Sequence, residues 1–203
     1  AQAGEKETDF RSFLLKAKAA NPDAIVLSGL VDETVRALKQ SYEVGIPKSV
    51  ARVANSVASK VEVPTNAGKA AVGVTYAAAF AASDKRPIAK KFVKKIKDKY
   101  GVVPGHDFSQ MQDLLDMLRP ALESAQLKFS GNLAADRNQV RDSIAGITNF
   151  TGLASGPIGF CAAGSPECRD GNKTPVMIEY TKGGKNWKTK VAGTVTFNPS
   201  AGL

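Results

Sequence analysis

The chain has 203 residues, 43% of them hydrophobic, and a formal net charge of +9. That is enough apolar content for one large buried core or two small ones, and it marks a soluble globular chain. No run approaches the roughly 18 consecutive apolar residues a membrane helix requires, and the opening AQAGEKETDF lacks the basic and apolar regions of a signal peptide. The positive balance admits nucleic acid, a membrane surface or an acidic ligand as partner, and by itself selects none of them.

From Asp9 to Ala20 the apolar residues Phe10, Phe13, Leu14 and Ala17 recur at helical spacing, and Asn21-Pro22 ends the helix. Ala24-Ile25-Val26-Leu27 is a short continuous apolar run that predicts a strand buried on both faces, stopped by Ser28-Gly29. A helix over Asp32 to Val44 follows, with Val35, Leu38 and Tyr42 inward and Gly45 just beyond its end. Residues 49–53 and 71–76 read as further strands, separated by a segment without clear periodicity. Helix, buried strand, helix, strand is the pattern of an α/β layer with a parallel sheet.

The middle of the chain is helical in another manner. Ile88, Phe92, Val93 and Ile96 form an apolar stripe, Lys90, Lys91, Lys94, Lys95, Lys97 and Lys99 take most other positions, and Gly101 and Pro104 close the helix. The basic positions read as a solvated face, with an anionic surface as the functional alternative. A second helix spans about His106 to Ala125, with Pro120 expected to kink or break it. A third is expected to begin at Asp136, which stands in capping-box spacing with Gln139, and to end at Ile147. Beyond it, Val176 to Tyr180, a Gly183-Gly184 turn and Trp187 to Val191 predict a β-hairpin.

Cys161 and Cys168 flank a polar, glycine-rich loop. A local disulfide there would stabilise the fold by about 2.5 kcal/mol on the chain-entropy model and would persist in an oxidising compartment; two free thiols are the other reading. Two cysteines and the single His106 fall short of a four-ligand zinc site, so no metal is expected. His106 has no nucleophile elbow to serve, and neither phosphate-loop nor dinucleotide fingerprint occurs, so no catalytic residue and no cofactor are assigned.

Six segments, TDFRSFLLKAKAANPDAIVLSG, ETVRALKQSYEVGIP, AAVGVTY, PIAKKFVKKIKDKYGVVPG, QDLLDMLRPALESA and VRDSIAGITNFTGLASGPIGF, resemble in order and spacing the second half of the leucine/isoleucine/valine-binding proteins. The resemblance implies an α/β, type I periplasmic binding protein-like fold, in which two lobes flank a ligand cleft. Residues 1–76 would then be part of the second lobe. Residues 77–160 would give crossover helices and a strand to the first, and residues 161–203 the cysteine loop and a terminal β region that crosses back once more. The family's opening segment is not in this sequence, so the first lobe would be incomplete here, and such a fragment is expected to expose apolar surface or associate with another copy.

The same resemblance places the cleft-lining loop at Gly29, Leu30 and Val31, and the position that holds a ligand's ammonium group at Ala51 and Arg52. Neither is acidic, so the expectation becomes a ligand carboxylate paired with Arg52. A further contact falls at His106, Asp107 and Phe108, and Gln112 precedes Asp113 where the family commonly has a tyrosine. The function implied is periplasmic capture of an amino acid or another small carboxylate-bearing compound, aromatic or aliphatic, for the permease of an ABC transporter. Neither catalysis, nucleic-acid binding nor stable membrane insertion is expected. The alternatives are a ligand-sensing domain of a signalling system and a basic nucleic-acid-binding protein, whose affinity would fall steeply with salt.

Overall fold

The computed structural model describes residues 7–125, 131–154, 158–160 and 175–194. The chain forms two units, Ala1–Asp84 with Val176–Gly193 and Lys85–Pro175 with Thr194–Leu203. The first boundary therefore falls at 84, not 76. The terminal β segment 176–193 returns to the first unit. Cys161 and Cys168 lie outside the described residues.

In the first unit, α1 (Arg11–Ala19), β1 (Ala24–Leu27), α2 (Val31–Glu43), β2 (Ala51–Ala54), the short α3 (Glu62–Ala67) and β3 (Val74–Ala78) follow one another. Two 3-10 turns, Ser56–Ser59 and Gly68–Ala71, flank α3 in the stretch without sequence periodicity. β4 (Val176–Lys182) and β5 (Lys188–Thr194) complete a five-stranded sheet of order β1-β2-β3-β4-β5. β1, β2 and β3 pair in parallel, and β4 runs antiparallel to β3. The 183–187 connection is too short for a parallel crossover, so β5 returns antiparallel to β4.

β1 is not buried on both faces: Ile25 is 8% exposed and Val26 73%. The reason is periodicity. The buried residues alternate along β3 (Val74, Tyr76, Ala78) and β4 (Val176, Ile178, Tyr180), all packing with Val35 and Leu38 of α2 and Val63 and Ala67 of α3. A second apolar cluster of Leu14, Ile25 and Ile46 joins α1 to β1. On the opposite face Glu179 and Lys190 form a cross-strand ion pair at 3.0 Å.

Tyr180 closes this core. Its ring stacks at a tilt 5.3 Å from that of Tyr76 and meets Trp187 edge-on at 6.0 Å, and its hydroxyl donates to the carbonyl of Ala58. The turn after it is pinned to α3 by Gly184 N–H donating to the Pro64 carbonyl at 2.7 Å. Each glycine is required for its own reason. A Cβ at position 183 would lie 1.8 Å from the Gly68 carbonyl oxygen, and position 184 has φ +82°.

The second unit contains α4 (Pro87–Tyr100), α5 (His106–Ser124) and α6 (Leu133–Ala145). Pro87 opens α4, Ala89, Phe92 and Ile96 form its buried stripe, and Gly101 ends it in the left-handed conformation at φ 71°. α5 does not break at Pro120 but continues to Ser124; the local consequence is that the Asp116 carbonyl loses its helical donor. α6 begins three residues before the expected start at Asp136, because the Asn132 side chain accepts from Ala135 N–H at 3.1 Å and acts as the N-cap.

Burial raises the phenol of Tyr76 to about 12 and raises that of Tyr180 as well, both from an ordinary 10.0. A proton held more tightly in the folded state than in the unfolded state leaves stability intact below pH 10 and erodes it as pH climbs towards the folded value. Urea denaturation followed from pH 8 upward should show a midpoint that begins to fall near pH 10. In Tyr180→Phe the fall should be shallower, and stability at neutral pH should drop by about 1–2 kcal/mol with the lost hydrogen bond.

Candidate functional site

Parallel pairing sets Leu27 opposite Ala54, so the residues after β1 and after β2 meet at the carboxyl edge of the sheet. In open α/β sheets that edge is where ligands bind. Asn55 N–H donates to the Leu27 carbonyl at 3.2 Å, and its side-chain Nδ2 donates to the Gly29 carbonyl at 3.1 Å. Leu30 has no side-chain acceptor with which to cap α2. Glu33 reaches back instead, its Oε2 accepting from Leu30 N–H at 2.8 Å. The loop 28–30 is thus held from both sides.

Beside this loop lies a cavity of about 550 Å³ lined by Leu30, Val31 and Val57 together with Glu7, Thr8, Asp32, Glu33, Arg36 and Lys60. Apolar surface and both signs of charge line one space. At the same edge Asn55 Oδ1 is buried without a hydrogen-bond partner, one of three such side-chain oxygens among the described residues, with those of Thr34 and Ser59. An unmatched buried acceptor costs about 1–3 kcal/mol, and a donor supplied by a ligand would recover it.

Of the expected contacts, Gly29, Leu30 and Val31 are at this edge and Ala51 and Arg52 are not. Ala51 opens β2, opposite Ala24 and a strand's length from the cavity. Arg52 is 3% exposed and fully engaged in holding the turn before its strand. Its guanidinium donates to Ser41 Oγ at 3.0 Å and to the carbonyls of Ile46, Val50 and Pro47 at 3.0, 3.0 and 3.3 Å, with its carbon 4.1 Å from the centre of the Tyr42 ring. Burial draws its pKa below the ordinary value. The expectation that Arg52 takes a ligand carboxylate is therefore corrected: neutral acceptors and an aromatic face already satisfy it. The residue that reaches the edge is Asn55, the first polar residue after the buried strand, which is the sequence signal that marks it.

In the second unit His106, Asp107 and Phe108 form the first turn of α5. His106 Nε2 lies 2.8 Å from Asp107 Oδ1, and Phe108 is half-exposed. Further along the same helix, the buried Asp113 takes the amides of Leu153 and Ala154 on its two carboxylate oxygens at 2.6 and 2.7 Å. Arg86 donates to the carbonyls of the same loop, 2.6 Å to Leu153 and 3.3 Å to Gly152 and Ala154. A Cβ at Gly152 would lie 2.2 Å from Asp113 Oδ1, so only glycine fits. Among the described residues no cluster of three or more His, Cys, Asp or Glu could hold a metal ion, and no helix is long and apolar enough to cross a membrane.

The first unit is thus an open α/β sheet with a mixed-charge crevice at its carboxyl edge. The sequence model of the periplasmic binding proteins matches residues 2–167, and the chain belongs to that family. Its structure is similar to that of a leucine-binding protein from Thermotoga maritima, with 26% identity and a TM-score of 0.76 over 98% of this chain and 51% of that one. It also resembles an ABC transporter substrate-binding protein from Sphaerobacter thermophilus, with 19% identity and a TM-score of 0.78 over 96% of this chain and 51% of that one. A third likeness is to a solute-binding protein from R. palustris in complex with benzoate, with 17% identity and a TM-score of 0.72 over 96% and 49% of the two chains. The chain thus spans about half the length of these proteins. No curated protein matches the sequence at a significant level.

Two substitutions separate structural from ligand-binding roles. Arg52→Met should lower the urea-denaturation free energy by about 2–4 kcal/mol, since four acceptors lose their donor; unchanged stability would reopen Arg52 as a ligand contact. Asp113→Asn, which turns an amide nitrogen towards one of two backbone N–H groups, should cost a similar amount, about 2–4 kcal/mol by the same measurement.

Proposed function

We propose that this chain is the ligand-binding part of a periplasmic solute receptor that delivers an amino acid or related small carboxylate-bearing compound to an ABC permease, and that it catalyses no reaction. The observation that carries this reading is the carboxyl-edge crevice, where apolar side chains and both signs of charge line one space. Family membership supports the receptor role and its periplasmic location. The benzoate complex and the leucine-binding protein support the ligand class.

The mixed charge favours a zwitterion within that class. Asp32 and Glu7 would accept from an ammonium group, and Arg36 and Lys60 would take a carboxylate. Leu30, Val31 and Val57 would cover a short apolar side chain. A ligand with a carboxylate alone would face the carboxylates of Glu7, Asp32 and Glu33 without offering them a donor. In the whole receptor, closure of two lobes over the ligand would create the form a permease recognises.

A thermal-shift screen against amino acids and aromatic or aliphatic carboxylates tests the reading. A true ligand at 100 times its Kd should stabilise the fold by about 2.7 kcal/mol, and Asn55→Ala should weaken its binding about tenfold by releasing the Gly29 carbonyl and the cavity-lining loop that bond holds. Turnover of any bound compound, or no shift across the panel, would overturn the assignment.

A further inference from the structure

α4 carries six lysines and a single acidic residue, Asp98, in 14 residues. At 100° per residue, Lys97, Lys90, Lys94, Lys91, Lys95 and Lys99 spread over an arc of roughly 200° opposite the buried stripe of Ala89, Phe92 and Ile96. All six are exposed, and Lys94 pairs with Asp98 at 2.5 Å, an exposed pair of small worth. The result is a face about 21 Å long with charge of one sign. The ligand crevice belongs to the other unit and makes no use of it.

We propose that this face of α4 docks reversibly on a bilayer that carries anionic phospholipid. Three observations select this partner. The cations are all lysine, a hydrated point charge on a flexible stem, which suits a diffuse plane of headgroups better than the fixed bidentate geometry arginine gives to discrete phosphates or carboxylates. Nucleic-acid surfaces add stacking aromatics and base-reading groups, and Tyr100 is the one aromatic ring exposed on α4. The apolar stripe is buried, so attachment rests on charge and not on insertion. Half-exposed Ile88 lies within the lysine arc, between Lys95 and Lys99, where an apolar side chain fits the headgroup level. The proposal is independent of which ligand the crevice binds.

Co-sedimentation with sucrose-loaded vesicles tests it. The chain should pellet with phosphatidylcholine vesicles containing roughly 30 mol% phosphatidylglycerol, stay in solution with phosphatidylcholine alone, and be released as salt rises from about 50 to about 300 mM. Each lysine near an anionic surface is worth roughly a factor of five, so Lys90→Glu/Lys91→Glu/Lys95→Glu should lower the partition coefficient roughly a hundredfold or more. The same charge change on exposed lysines of the first unit, Lys16→Glu/Lys39→Glu/Lys48→Glu, should lower it far less. Circular dichroism checks that both variants are folded, and Lys90→Gln/Lys91→Gln/Lys95→Gln replaces the first if it is not. No pelleting with anionic vesicles overturns the proposal. So does an equal loss in both variants, which would reduce the effect to net charge, and so does tighter binding to duplex DNA than to vesicles.

Discussion

Pairing of Leu27 with Ala54 in a parallel register is the constraint from which the carboxyl edge is built. Moving β2 by one residue would exchange its buried and half-exposed faces and take Asn55 away from the Gly29 carbonyl. With the register held, the loop 28–30 is clamped by Asn55 on one side and Glu33 on the other, and the first turn of α2 opens beside the cavity. A preformed crevice of this kind loses little conformational entropy when a ligand enters.

Two buried charged side chains, Arg52 and Asp113, serve irregular backbone in the two units. Arg52 gathers the carbonyls of the turn before β2, and Asp113 gathers the amides of the 152–154 loop while Arg86 takes its carbonyls. Turns cannot satisfy their own peptide groups as helices and strands do, so a forked donor or a two-oxygen acceptor fixes several at once. These residues look like ligand-binding groups by type alone. Their burial and saturation make them structural.

The first unit buries one face of its sheet through strict alternation, and its last hairpin is locked by Tyr180 and by the contact of Gly183 with Gly68. Residues more than a hundred positions apart in sequence thereby share one core, so the first unit is complete only when the chain has returned from the second.

Much of this was legible in the sequence. The apolar stripe and glycine stop of α4, the strand–helix–strand order around β1 and β2, the Gly183-Gly184 turn and the family resemblance are local or ordered patterns, and periodicity and turn chemistry read them directly. What the sequence left open depends on partners distant along the chain. The apolar run of β1 does not say which face is covered, whereas the start of α6 is a local choice between two cap candidates that the bond from Ala135 to Asn132 decides. The chemistry of a guanidinium likewise does not reveal whether carbonyls have already taken its donors. The site turns on that last point: the family resemblance singled out the loop of Gly29, Leu30 and Val31 after β1, and only the strand register, a long-range pairing, put Asn55 beside it and turned Arg52 inward.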